Sequence, residues 1–334
     1  MTTLLEARYR AVLRLLPAYY RREREEEMIE TYLCDMDQDT QDQSRPTLGE
    51  VVSVAALALR CRLGAAGAPG PYVLLGSTVR LFALFAVLLQ AADALKGRAL
   101  ELTWAFGGDG TGRRLFLSTF TDHGLLSATV AAFEWILPLL WVVAYFAVLH
   151  DRRRLARAAA LSAALPTLWP FVGPLVMSTM TPADSLYPFA CAALAWVPAL
   201  TLCAAHHRDA PPARLPVGTP GLALMTCCVV VGASIVLLPA VADAAWAPVT
   251  CFLVGALGWL LWRGRRGAPG SSGGSLALAV LGGLLLLVRV ADTYPWLGGA
   301  APGELIGGGL GQTAALTVLI AVLAVVGRRD AAAR

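Results

Sequence analysis

Eight apolar stretches, each near the ~20 residues that a helix needs to cross ~30 Å of hydrocarbon, recur between residues 72 and 326. They read as 72–93, 125–149, 155–177, 187–205, 220–242, 247–262, 275–291 and 310–326. Inside lipid every backbone N–H and C=O needs a partner within the protein, which leaves helices or a closed barrel, and these runs lack the strict alternation of barrel strands. The expected fold is therefore all-α: a polytopic transmembrane helix bundle of about eight spans. The sixth and seventh runs are short and are expected to borrow flanking residues. Lipid is the first partner such a chain implies.

Arginine placement sets the expected orientation, because positive residues in short loops are retained on the cytoplasmic side. Arg152, Arg153, Arg154 and Arg157 follow the second run, Arg208 and Arg214 the fourth, Arg263, Arg265 and Arg266 the sixth, and Arg328, Arg329 and Arg334 the eighth. The loops after the third, fifth and seventh runs carry no Lys or Arg. Both termini are thus expected in the cytoplasm. Only the loop 94–124 dissents, with Lys96, Arg98, Arg113 and Arg114.

Composition agrees with a membrane chain: hydrophobic residues make up 57% and charged residues 15%, and the net charge of +4 reports topology rather than nucleic-acid binding. The lone lysine among many arginines, with abundant Ala and Gly, fits a GC-rich bacterial genome and hence a bacterial inner membrane. Residues 1–30 are charged and lack an apolar core, so the first span is expected to act as its own signal. Of the cysteines, Cys34 and Cys61 precede the spans, and Cys191, Cys203, Cys227, Cys228 and Cys251 lie within them. None has C-x-x-C spacing, so neither a disulfide framework nor a zinc site is indicated.

Ahead of the spans, residues 1–64 read as a separate helical domain, with 65–71 as a Gly/Ala/Pro-rich hinge and 72–334 as the membrane domain. Thr3 with Glu6 is a capping-box signature, and apolar residues then recur at helical spacing through Leu16. After Pro17 a charged run opens a second amphipathic helix. Thr47 with Glu50 repeats the capping box before a third, too short to span, that packs on the first two or lies at the membrane surface. Leu13, Leu16, Ile29 and Leu33 are the expected shared core.

The order Leu16-Pro17, then Arg22-Glu23-Arg24-Glu25-Glu26-Glu27-Met28, then Pro46-Thr47-Leu48-Gly49-Glu50 resembles the HAAS-type, or permease-prefix, α-helical signalling domains of bacterial membrane proteins, in an actinobacterial variant. The resemblance covers about residues 4–64. It implies a cytoplasmic regulatory or partner-binding module, in families often encoded beside a PadR-type transcriptional regulator, with no catalysis and no direct nucleic-acid contact. The plainer alternative is a small helical cap over the inner ends of the spans.

Gly107-Gly108-Asp109-Gly110-Thr111 matches a phosphate-binding signature of kinases, but it lies in a loop between spans without the strand that such a motif follows. It reads as a flexible turn. Gly270-Ser271-Ser272-Gly273-Gly274 reads as a linker. No nucleophile-base pair, H-E-x-x-H or Walker A motif is present, so no enzyme, cofactor or metal is expected.

Ionisable residues within spans are costly and usually have a partner or a task. Glu134, about nine residues into the second run and ~14 Å deep at ~1.5 Å per residue, is the leading functional candidate. Ser127, Trp141 and Tyr145 share its expected face. Arg289 can pair with Glu134, pair with Asp292 three residues on, or snorkel; the last two are favoured. Arg80 is expected to snorkel. Asp93, Asp184, Asp243 and Asp292 each end an Ala-Asp dipeptide at the outer exit of an odd-numbered span. The four form an acidic mouth for a cation or, by the favoured reading, Asp184, Asp243 and Asp292 serve as helix N-caps. Pro166, Pro170 and Pro174 must break the third span, as in transporters whose open helices line a site. The function that follows is sensing, tethering or signalling through the prefix domain; the alternative is a small-solute or ion permease using Glu134 and the kinked third span.

Overall fold

The computed structural model describes residues 4–34, 45–64, 67–107, 110–121, 124–176, 186–206, 219–237, 246–266, 273–298 and 303–332, and every regular element among them is helical. The first three helices are α1 (Leu4–Leu13), α2 (Ala18–Cys34) and α3 (Leu48–Arg62). Pro17 separates α1 from α2, and the Leu15 and Leu16 N–H groups close the turn on the carbonyls of Val12 and Leu13. At α3, Glu50 N–H donates to Thr47 Oγ1 at 3.3 Å and Thr47 N–H to Glu50 Oε2 at 2.7 Å, a complete capping box. Thr3 lies outside the described residues.

Leu13, Leu16 and Ile29 are buried together with Tyr9, Val54 and Ala58, and Leu33 packs at the margin of this cluster. Each fully buried Leu or Ile contributes ~1.5–3 kcal/mol, so few residues hold the three helices together. Tyr9 and Tyr32 stack at 4.0 Å and 6°, and the Tyr32 hydroxyl donates to Glu50 at 3.2 Å.

The membrane helices begin with α4 (Gly70–Phe106), a single helix of 37 residues and thus ~55 Å. It continues well past Asp93, where the first span was expected to end, and residues 94–106 are helix rather than loop. The next element, α5 (Thr111–Thr121), has no buried residue. The second crossing is α6 (Gly124–Ile136), a 3₁₀ turn at Leu137–Leu139 and α7 (Leu140–Leu149). The third is α8 (Arg153–Ala164), a 3₁₀ turn at Leu165–Leu168 and α9 (Trp169–Val176). Here Leu165 N–H bonds the Ser162 carbonyl and Trp169 N–H the Pro166 carbonyl; these shorter bonds replace the ones Pro166 and Pro170 cannot make.

Then follow α10 (Leu186–Ala205), α11 (Pro220–Leu237), α12 (Trp246–Arg266), α13 (Gly273–Thr293) and α14 (Gly303–Ala332). Among the described residues, 7 helical runs are long and apolar enough to cross a membrane. The remaining expected span, α11, is 18 residues or ~27 Å, whereas α12 and α13 are 21 each. The sixth and seventh runs thus borrow flanking residues, as expected: α12 and α13 both extend beyond 247–262 and 275–291.

Contacts fix which ends meet. Arg263 at the end of α12 pairs with Asp330 at the end of α14, α13 starts against Ser77 and Thr78 of α4, and Gln312 donates to Thr250 at 3.2 Å across the far ends of α14 and α12. The close of α14 thus lies at the same end of the bundle as the start of α4. Buried Ala156, Ala159, Ala160, Ala163 and Ala164 give α8 a small-residue face, which lets helix backbones approach and gain the dispersion contacts that drive association in lipid.

The three-helix domain docks on the first turns of α4. Leu63, which caps α3, lies so close to Gly76 that a Cβ there would overlap the Leu63 carbonyl oxygen. Arg80, expected to snorkel, instead donates to that carbonyl at 3.4 Å, and the Tyr19 hydroxyl donates to the Cys61 carbonyl at 2.9 Å while its ring meets Tyr72 at 5.2 Å.

Candidate functional site

About 13 residues beyond Arg80, and so ~20 Å along α4, Asp93 faces a cavity of about 250 Å³. Gln90 and Asp93 of α4, Trp141 of α7, Pro166 and Thr167 of the third-crossing turn, Tyr187 and Cys191 of α10, and Val288 of α13 line it. Proline chemistry explains part of this construction. Pro198 cannot donate to the Leu194 carbonyl, and Gln90 Nε2 supplies the missing bond at 3.1 Å, tying α4 to α10.

Two ion pairs lie beside this cavity. Lys96, only 8% exposed, holds Asp93 at 2.9 Å, and Arg289, 2% exposed, holds Asp292 at 2.5 Å. Since α13 starts level with Ser77, Arg289 is about as far along the bundle as Asp93, and the two pairs share one layer. Arg289 therefore neither snorkels nor reaches Glu134. The guanidinium packs against α14, where a Cβ on Gly309 would come within 2.9 Å of Nη2.

Asp93 and Asp292 are each neutralised by a base three residues away, inside helices rather than at caps. Together they form no uncompensated acidic mouth, and Asp292 pairs with Arg289 rather than acting as a cap, because a carboxylate in this layer is stabilised by its own helix's cation. Asp184 and Asp243 lie outside the described residues.

Glu134 is exposed on the outside of the bundle. Its neighbour Trp135 lies under the Arg98 guanidinium at 5.6 Å, whereas Pro138 and Trp141 are level with Asp93. Glu134 is thus ~8 Å further along than Asp93. The 3₁₀ turn at Pro138 winds at ~3.0 rather than ~3.6 residues per turn, which rotates the following helix by ~60° relative to Glu134. Trp141 and Tyr145 are consequently buried while Glu134 is not. Tyr145 donates to the Pro220 carbonyl at 2.9 Å, joining α7 to α11.

Sequence reasoning missed Gln90, Lys96 and the cavity. The available signals were Pro198, which orphans a carbonyl, and the Asp93–Lys96 spacing. Among the described residues no group of His, Cys, Asp and Glu could hold a metal ion. The cavity offers a carboxylate whose charge Lys96 balances from beside it, an engaged amide, hydroxyls and an aromatic wall, an arrangement suited to holding a small polar molecule. No family model matches the chain, and neither a curated protein nor a solved structure matches it.

Proposed function

We propose that the chain is a membrane sensor in which a small ligand in the cavity is reported by the three-helix domain. The observation that carries this reading is α4: one uninterrupted helix has the domain docked at Gly76 and Arg80 and the cavity wall at Gln90 and Asp93. A shift at one end of so stiff a rod is felt at the other. The arginine rule supports a cytoplasmic position for the domain and both termini, with the cavity in the outer half of a bacterial inner membrane.

The resemblance of residues 4–64 to HAAS-type domains supports output through a protein partner, such as a PadR-type regulator, without direct nucleic-acid contact. Leu48, Val52 and Leu59 add to this, since they leave an exposed apolar stripe on α3. A permease is the second reading, favoured by one observation: the break at Pro166 and Thr167 in the third crossing lines the cavity.

Small polar molecules are to be screened for thermal stabilisation of the purified chain, and any stabilising solute then offered to proteoliposomes. A sensor binds without accumulating it. Saturable uptake, abolished by filling the cavity with Thr167→Trp, selects the permease.

A further inference from the structure

Where the three-helix domain meets the bundle, several cationic groups converge. His206, just past the last turn of α10, is 4% exposed, and its Nε2 is buried without a hydrogen-bond partner among the described residues. Arg157 of α8 donates from Nη2 to the His206 carbonyl at 2.6 Å, and its own Nε is likewise buried without a partner. Arg153, one turn earlier on α8, holds Asp151 at 2.7 Å. Arg80 of α4, which donates to Leu63, lies close enough to act electrostatically on the same imidazole. Burial, then Arg80, Arg153 and Arg157, push His206 down to about 4, so the ring is neutral at neutral pH. Asp151 is the one carboxylate among the described groups acting on it.

Among the described residues three guanidinium groups meet one carboxylate here, all at least half-buried except Asp151, and positive charge is concentrated in a poorly solvated place. The start of α8 has no side-chain cap, and its dipole adds to this charge.

We propose that this junction binds a phosphate group, with Arg80, Arg153 and Arg157 as ligands and His206 as a neutral hydrogen-bond donor. Guanidinium forks match phosphate oxygens in geometry as well as charge. Basic pockets between spans at the cytoplasmic surface take lipid headgroups, and a soluble phosphate presents the same oxygens. Because Arg80 also holds the Leu63 carbonyl, an occupied site tightens the dock; this consequence rests on the sensor reading.

The test uses the delipidated full chain in nanodiscs of phosphatidylcholine alone, of phosphatidylcholine with phosphatidylglycerol, or of phosphatidylcholine with millimolar inorganic phosphate. The readouts are the unfolding midpoint and the lipid retained in native mass spectra. A midpoint rise of several degrees in the phosphatidylglycerol arm assigns a headgroup, and one in the phosphate arm a soluble ligand; either is lost in Arg153→Gln and Arg157→Gln. Arg153, at the edge of the cluster, carries the comparison if Arg157→Gln does not fold. No rise in either arm, or an equal rise in Arg153→Gln, overturns the site. A rise with unchanged proteolytic release of residues 1–64 upholds the site and counts against the sensor reading alone.

Discussion

The carbonyl oxygen of Leu63 lies against the α-carbon of Gly76, in the place that a methyl group on residue 76 would occupy. The domain's last helix is thus seated on the first membrane helix at a point that only glycine permits. An alanine there gains up to ~1 kcal/mol of helix propensity. Forcing it against backbone costs ~1–3 kcal/mol, and backbone cannot swing aside as a long side chain can.

Gly76→Ala is therefore expected to loosen the dock while leaving the bundle folded. Limited proteolysis around residues 64–70 of the detergent-solubilised protein should accelerate several-fold, with the helical circular dichroism nearly unchanged. An unaltered cleavage rate means the contact does not hold the domain.

The ion pairs beside the cavity and the exposed glutamate should respond oppositely to substitution. Asp292→Asn leaves Arg289 buried without its carboxylate and is expected to destabilise by ~3–5 kcal/mol, with part of that recovered in the Arg289→Gln/Asp292→Asn double variant. Glu134→Gln, on the outside of the bundle, should stay within ~0.5 kcal/mol of the parent. Thermal unfolding in one detergent compares all four; a large loss in Glu134→Gln alone would reverse the assignment.

Stability should fall at both ends of the pH scale for different reasons. The fold disfavours protonated His206, lowering it from 6.5 to about 4, so the stability it contributes above pH 6.5 declines as pH falls through that window. Burial, then Glu50 nearby, raises Tyr32 from 10.0 to about 12, so its contribution is complete below pH 10 and is lost as pH rises towards 12. Tyr32→Phe should blunt the alkaline loss of protease resistance in residues 4–64, and His206→Gln the acid loss; identical profiles in parent and variants contradict these origins.

Hydropathy made the crossings legible because each is an apolar run of fixed minimum length, and the capping box at Thr47 was legible because it is a local exchange in which each side chain accepts from the other residue's backbone N–H. The continuation of α4 past Asp93 was not. Lys96, Arg98 and Glu101 read as a polar loop, whereas each base sits three residues from an acid on the same helix and lets the helix run on. Glu134 was misplaced because helical spacing was carried through Pro138, where the phase changes. Gln90 was invisible because its partner carbonyl is orphaned by Pro198 on another helix, a relation that only the packed bundle creates.

Hydrogen–deuterium exchange of the full chain, parent against Asp93→Asn, tests the coupling along α4 most directly. Asp93→Asn strands Lys96 beside the cavity without touching the domain. If α4 relays that change, amides at the dock, around Leu63 and the first turns of α4, should exchange measurably faster, and protection in α3 should fall with them. Changes confined to the far half of the bundle, with the dock exchanging as in the parent, would contradict the sensor account.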